Sequence, residues 1–216
     1  MNNLPPILSG IDTKHLHLSE EHYKLLFGDE KPRKLKKVRQ PGYFAGWQTV
    51  TLVGPRGEIP SARIIFPFRE YTQVEITRSD AIKLGNKAPL KKSGDLEGSA
   101  PVKLVGPKGT LELEKGCFVP WRHIHMSPAE AELFGVKHNE FVTVSAGKGT
   151  GREVIFKNVW IRATPWFVLE YHLDADEANA SGIKNNDIVE IIEKNVKIPP
   201  EYSFFPEELP TRGVLV

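Results

Sequence analysis

Two histidine pairs carry the sharpest chemical signal in this chain: His15 and His17 in HLHLS, and His123 and His125 in HIHMS. On a strand, residues i and i+2 point to one face, so both imidazoles of a pair can reach the same metal ion. Each pair opens a segment that closes on Leu-Phe-Gly, at Gly28 and at Gly135, and His15 and His123 lie 108 positions apart. The shared pair, serine and closing tripeptide point to a duplication and to two related half-domains. Equivalent positions of such halves can face each other at the domain junction, giving two metal ions with open coordination positions. Open positions mark a catalytic rather than a structural zinc. The bland alternative is a pair of strand ends whose histidines pack or bond to backbone.

A catalytic zinc needs a third protein ligand. Glu75 is an acid inside an apolar strand, which is costly unless it is paired or bound to metal. A solvent-facing place on a half-buried strand is the other reading. Arg69, Gln73 and Glu75 share parity, so an unbroken strand would put all three on one face. His172 ends an apolar run and leads into a helix cap, as His17 and His125 do, which makes it a candidate ligand for the second metal. A lone histidine is otherwise more often structural. Residues 31–39 hold six basic side chains and read as a solvated loop, a phosphate grip or, third, a nucleic-acid surface. Cys117 reads as a buried inert thiol, with an acyl-transfer nucleophile as the sharper alternative.

The elements that position these groups are short. Ser127 with Glu130, Thr77 with Asp80 and Asp174 with Glu177 have capping-box spacing, and Gly28, Gly85, Gly135 and Gly182 suit helix C-termini. Apolar β-rich runs cover 48–53, 62–66, 72–76, 141–145, 153–162 and 166–172. Leu-Val-Gly-Pro-x-Gly occurs at Leu52 and Leu104, a hairpin turn used twice outside the 108-residue register. The fold expected is mainly β with short capping helices: two tandem β-barrels, 1–116 and 117–197, and an irregular tail over 198–216. Hydrophobic residues at 40% and charged residues at 26% of 216 describe a globular chain, and a net charge of +2 argues against binding polyanions by bulk charge. One cysteine excludes a disulfide framework and suits the cytoplasm. No run is long and apolar enough for a membrane helix, and no signal peptide is visible.

HLHLS (His15), QPGYFAG (Gln40), LVGPRG (Leu52), FREYTQVEI (Phe68), KSGDLEGS (Lys92), LVGPKG (Leu104), RHIHMSPAEA (Arg122) and HLDADEANA (His172) occur in that order. Together they resemble the PduL-type phosphate acyltransferases, the phosphate propanoyltransferases. The resemblance implies two β-barrels with a two-zinc site between them and reversible transfer of a short acyl group between coenzyme A and phosphate. It assigns His15, His17 and Glu75 to one zinc and His123, His125 and His172 to the other. It also gives Arg69 to phosphate, and Arg63, Asn179 and, less closely, Lys36 to coenzyme A. The implied partners are acyl-CoA, phosphate and acyl phosphate, with no nucleic acid and no membrane, and a homo-oligomer is compatible with it. Before the first histidines the family has a small polar pair and an arginine, where this chain has Asp12-Thr13-Lys14. The short stretch before His15 resembles members without a microcompartment-targeting extension. Two other functions fit the same residues: a zinc-dependent acyl-CoA hydrolase, which needs no phosphate clamp, and a non-catalytic metal-stabilised binding module with closed four-ligand sites.

Overall fold

The computed structural model describes residues 4–198. The expected tail over 198–216 lies, beyond Ile198, outside the described residues. The chain opens with strand β1 (Ile7–Asp12) and runs through β2 (His15–His17), α1 (Glu20–Phe27), β3 (Lys34–Lys37), β4 (Phe44–Val53), β5 (Glu58–Phe66), β6 (Gln73–Glu75) and α2 (Arg78–Leu84). Then follow β7 (Leu90–Lys91), β8 (Ala100–Val105), β9 (Thr110–Pro120), β10 (His123–Met126) and α3 (Pro128–Phe134). The last elements are β11 (Phe141–Ala146), β12 (Val154–Ala163), β13 (Glu170–Asp174), α4 (Ala175–Ser181) and β14 (Ile188–Glu193). Among the described residues the fold is mainly β with four short helices, as expected.

Two barrels close. In the first, hydrogen bonding runs β4-β5-β2-β6-β9-β8 and back to β4, with β3 added on β4 and β7 on β9. In the second it runs β1-β13-β10-β12-β11-β14 and back to β1. The chain passes from one compact unit to the other after Pro120, close to the expected break near Gly116, but residues 4–13 and Val38–Tyr43 belong with the later unit, so the units interleave along the sequence. Of the described residues, one takes 4–13, Val38–Tyr43 and 121–198, and the other takes Lys14–Lys37 and Phe44–Pro120. The physical reason is that β1 lies parallel to β13 and antiparallel to β14, closing a barrel whose other strands all come from the far end of the sequence.

Each barrel is built from two βαββ modules of like course. In the first barrel, β2 and β6 pair antiparallel, and each lies parallel to the last strand of its own module, β5 or β9. In the second, β10 and β13 pair antiparallel, and each lies parallel to β12 or β1. Each module's first strand runs straight into a helix. Thr77, Ser127 and Asp174 form capping boxes with Asp80, Glu130 and Glu177, while Ser19 accepts the amide of His22. Glycines 85, 135 and 182 end their helices in left-handed conformation, which costs a residue without Cβ nothing.

The repeated Leu-Val-Gly-Pro-x-Gly turn gains its explanation from these modules. Its two copies are the β4–β5 and β8–β9 hairpins of one barrel, so they follow the module repeat and not the barrel repeat. Each seats on the end of a helix: Arg56 N–H donates to Leu84 O at 2.9 Å, and Lys108 N–H to Leu26 O at 3.0 Å. These carbonyls would otherwise be orphans of a helix C-terminus. The run expected over 166–172 is shorter, since Phe167 N–H turns back to Thr164 O and the strand starts at Glu170. Among the described residues no helix is long and apolar enough to cross a membrane.

The close seating of the turns predicts a stability effect. A Cβ at Gly54 would lie 2.4 Å from Leu84 O, and one at Gly106 would lie 2.5 Å from Leu26 O. Gly54→Ala and Gly106→Ala should each destabilise the fold by about 1–3 kcal/mol, the usual cost of overpacking. Urea denaturation of each variant measures it, and an unchanged midpoint would contradict the seating.

Candidate metal centres

The first strands of the four modules share one pattern. HLHLS, QVEIT, HIHMS and EYHLD alternate polar and apolar residues and end on the helix cap. The apolar members, Leu16, Val74, Ile124 and Tyr171, are fully buried in the barrel cores, as are Leu18 and Met126. Strand alternation then sends the polar members to the opposite face. Antiparallel register places His15 opposite Glu75 and His17 opposite Gln73, and likewise His123 opposite His172 and His125 opposite Glu170.

Two donor clusters result. His15, His17 and Glu75 each offer a ligand atom, and these atoms lie within 4.8 Å of one another; His123, His125 and His172 do the same. In the first cluster, Glu75 is 5% exposed, which removes the solvent-facing reading. Its Oε1 accepts from Gln73 Nε2 and from Ser93 Oγ, the latter at 2.9 Å. That leaves Oε2 turned to His15 Nε2 at 3.6 Å, too far for a hydrogen bond. Two donors about 2.1 Å from one tetrahedral zinc stand roughly 3.4 Å apart, so this spacing fits an ion shared between them.

In the second cluster, His123 Nδ1 lies 2.8 Å from Trp121 O, which requires a proton on Nδ1 and leaves Nε2 a bare lone pair. That Nε2 is buried and has no hydrogen-bond partner among the described residues. Burial first, then the charges of His172 and Arg162, hold His123 well below the ordinary histidine pKa. The His123 and His172 rings stack with centroids 5.0 Å apart, and His125 stacks on Phe167 at 3.9 Å. His172 is held at both nitrogens, by Asp12 Oδ2 and Glu170 Oε2, each at 3.0 Å. Burial pulls its pKa down, but Asp12 and then Glu170 outweigh it and raise it to about 10. Glu170 also accepts from Arg39 Nε at 3.1 Å and Gln40 Nε2 at 2.9 Å. For Glu170, burial alone would raise the pKa; the bond and charge of His172, with Gln40 and Arg39, bring it below the ordinary value.

Comparison with known proteins gives the family of the chain. Residues 8–184 match the sequence profile of the family described as phosphate propanoyltransferase. The chain belongs to that family. It is 45% identical over 190 residues to the phosphate propanoyltransferase of Thermotoga maritima, covering 88% of this chain and 90% of that one. It is 46% identical over 180 residues to the one of Salmonella typhimurium, covering 83% and 85%, and 45% identical over 184 residues to the one of Lachnoclostridium phytofermentans, covering 85% of each. Membership of this family makes the chain an acyltransferase.

The remaining predicted residues are placed less tightly. Arg69 does not share a strand with Glu75: β6 begins at Gln73, and Arg69 sits half-buried in the loop after β5. Its N–H donates to Leu18 O at 2.9 Å, which ties that loop to the residue after His17. Arg63 is opposite His15 in the parallel β2–β5 register, and its Nη1 donates to the carbonyls of Gly46 and Trp47. Lys36 is exposed on β3 and Asn179 is exposed on α4. The basic run makes an edge strand along β4 with mostly solvated lysines, while Arg39 departs from it to reach Glu170. Sequence reasoning passed over Gln73, Ser93, Glu170 and Asp12 as partners of the ligands. The signal for two of them was available, because Gln73 and Glu170 occupy in their modules the place that His15 and His123 occupy in theirs.

Cys117 is fully buried on β9, and burial, with the charge of Asp80, pushes its thiol up to about 12. A thiol so placed is not a nucleophile at neutral pH. In the native chain it should resist alkylation by iodoacetamide and react only on unfolding, and Cys117→Ala should keep activity. A rapidly labelled native thiol, or an acyl-cysteine found by mass spectrometry, would contradict this.

Proposed function

We propose that this chain catalyses the reversible transfer of a short acyl group between coenzyme A and inorganic phosphate. One zinc ion is held by His15, His17 and Glu75, and a second by His123, His125 and His172. The observation that carries the reading is the recurrence, in each barrel, of three metal donors at matching register, in a chain of the phosphate propanoyltransferase family. When bound, zinc supplies Lewis acidity toward an acyl oxygen and an affinity for thiolate sulfur. The protein's own part is binding and orientation. Arg69 offers a planar guanidinium fork to two phosphate oxygens and leaves a third free to attack. The new C–O bond forms as the thioester C–S bond breaks, and coenzyme A leaves as the thiolate. Phosphate is itself the nucleophile, so no acyl-enzyme is needed, in keeping with the inert Cys117. Arg63, Asn179 and Lys36 are assigned to coenzyme A. Fixing both substrates together removes much of the entropic barrier to a two-substrate reaction. A cytoplasmic location belongs to the same proposal and rests on a chain whose one cysteine is a free, buried thiol.

The test is incubation with acetyl or propanoyl phosphate and coenzyme A while thioester formation is followed. Chelation of zinc should abolish turnover, and normal turnover by metal-free protein would sink the zinc reading. Arg69→Ala should weaken phosphate saturation and slow transfer by about a hundredfold, as removal of one electrostatic clamp does elsewhere. Arg69→Lys should recover only part of the loss. Release of coenzyme A without phosphate would point to a hydrolase instead.

A further inference from the structure

We propose that Asp12 is a positioning residue for the second metal centre: its carboxylate holds His172 Nδ1 and thereby aims Nε2 of that ring at the ion. The inference rests on the zinc reading above. Asp12 is the last residue of β1, whose parallel register sets Gly10 beside His172 and Asp12 beside Asp174. From there Asp12 Oδ2 reaches His172 Nδ1 at 3.0 Å.

Three observations favour Nε2 as the ligand atom. His123, stacked on His172, has its Nδ1 engaged by Trp121 O and its Nε2 bare, so the two rings then share one tautomer. Glu170, the other neighbour of His172, already accepts from Arg39 and Gln40, so it stays satisfied when Nε2 takes an ion. The first cluster repeats the logic with different atoms: Gln73 and Ser93 tie down one oxygen of Glu75 and leave the other for the metal. Each barrel thus immobilises its third ligand by one atom and presents the second. A histidine held by a carboxylate is a better-oriented and more basic ligand, and loss of such an outer partner lowers metal affinity by about 10–100-fold.

The experiment titrates cobalt(II) into metal-stripped full-length chain, follows the visible absorption, and measures zinc affinities by chelator competition. Wild type should take up two ions. Asp12→Ala should bind the first as wild type does and the second about 10–100-fold more weakly, with an altered spectrum for the second ion only. Asp12→Asn, whose amide oxygen still accepts from Nδ1–H, should lose less and carries the test if the alanine variant does not fold. Wild-type affinity for both ions in the variants, or equal weakening of both, would overturn the role of Asp12. A wild-type chain that binds no ion would overturn the zinc reading itself.

Discussion

Strand pleating sends alternate side chains to opposite faces, and four short strands of this chain use that alternation in the same way. Their apolar members fill two separate barrel cores, and their polar members gather on the other face. Because the first strands pair antiparallel, the leading polar residue of one meets the trailing polar residue of its partner. That register brings two residues of one strand and one of the next into a three-donor cluster. A slip of one residue would turn all of them into the core. The helix caps follow two residues after the last donor, so the capping boxes also fix where each strand must stop.

Gathering polar groups at low exposure is costly unless each is satisfied. The two clusters meet that demand differently. Around Glu75 the partners are neutral, an amide and a hydroxyl. Around His172 they are charged, with Asp12, Glu170 and Arg39 in one network and Gln40 between. The arrangement therefore leaves one candidate cluster with a carboxylate among its three donors and the other with imidazoles alone, its carboxylates standing one contact further out.

Much of this was legible in the sequence, and the reason is that its determinants are local. His-x-His, the capping boxes, the closing glycines and the twin Gly-Pro turns each lie within a few residues, and each was found where expected. Glu75 and His172 were legible as candidates, because an acid in an apolar strand and a histidine two residues before a cap break an otherwise apolar pattern. What could not be read is non-local. Parallel pairing of Ser9 with Tyr171 leaves no trace in either segment, so the interleaving of the barrels and the contact of Asp12 with His172 stayed hidden. Trp166 to Leu169 are bulky and apolar enough to look like strand, and only the turn at Thr164 shows otherwise. Gln73 was seen only through its parity with Arg69, a relation that the start of β6 breaks.

The closure of the second barrel by β1 has a consequence for synthesis. Among the described strands, β1 leaves the ribosome first and its partners β13 and β14 leave last. The first barrel can complete itself once Pro120 is out, but Ile7–Asp12 must wait through the making of that whole domain with its strand edges unpaired. Its own sequence eases the wait, since a six-residue strand with Gly10 at its centre is a poor template for mispairing. The second barrel can close only after β14 has emerged, and the cluster of His123, His125 and His172 gains Asp12 as a neighbour only once β1 has paired with β13.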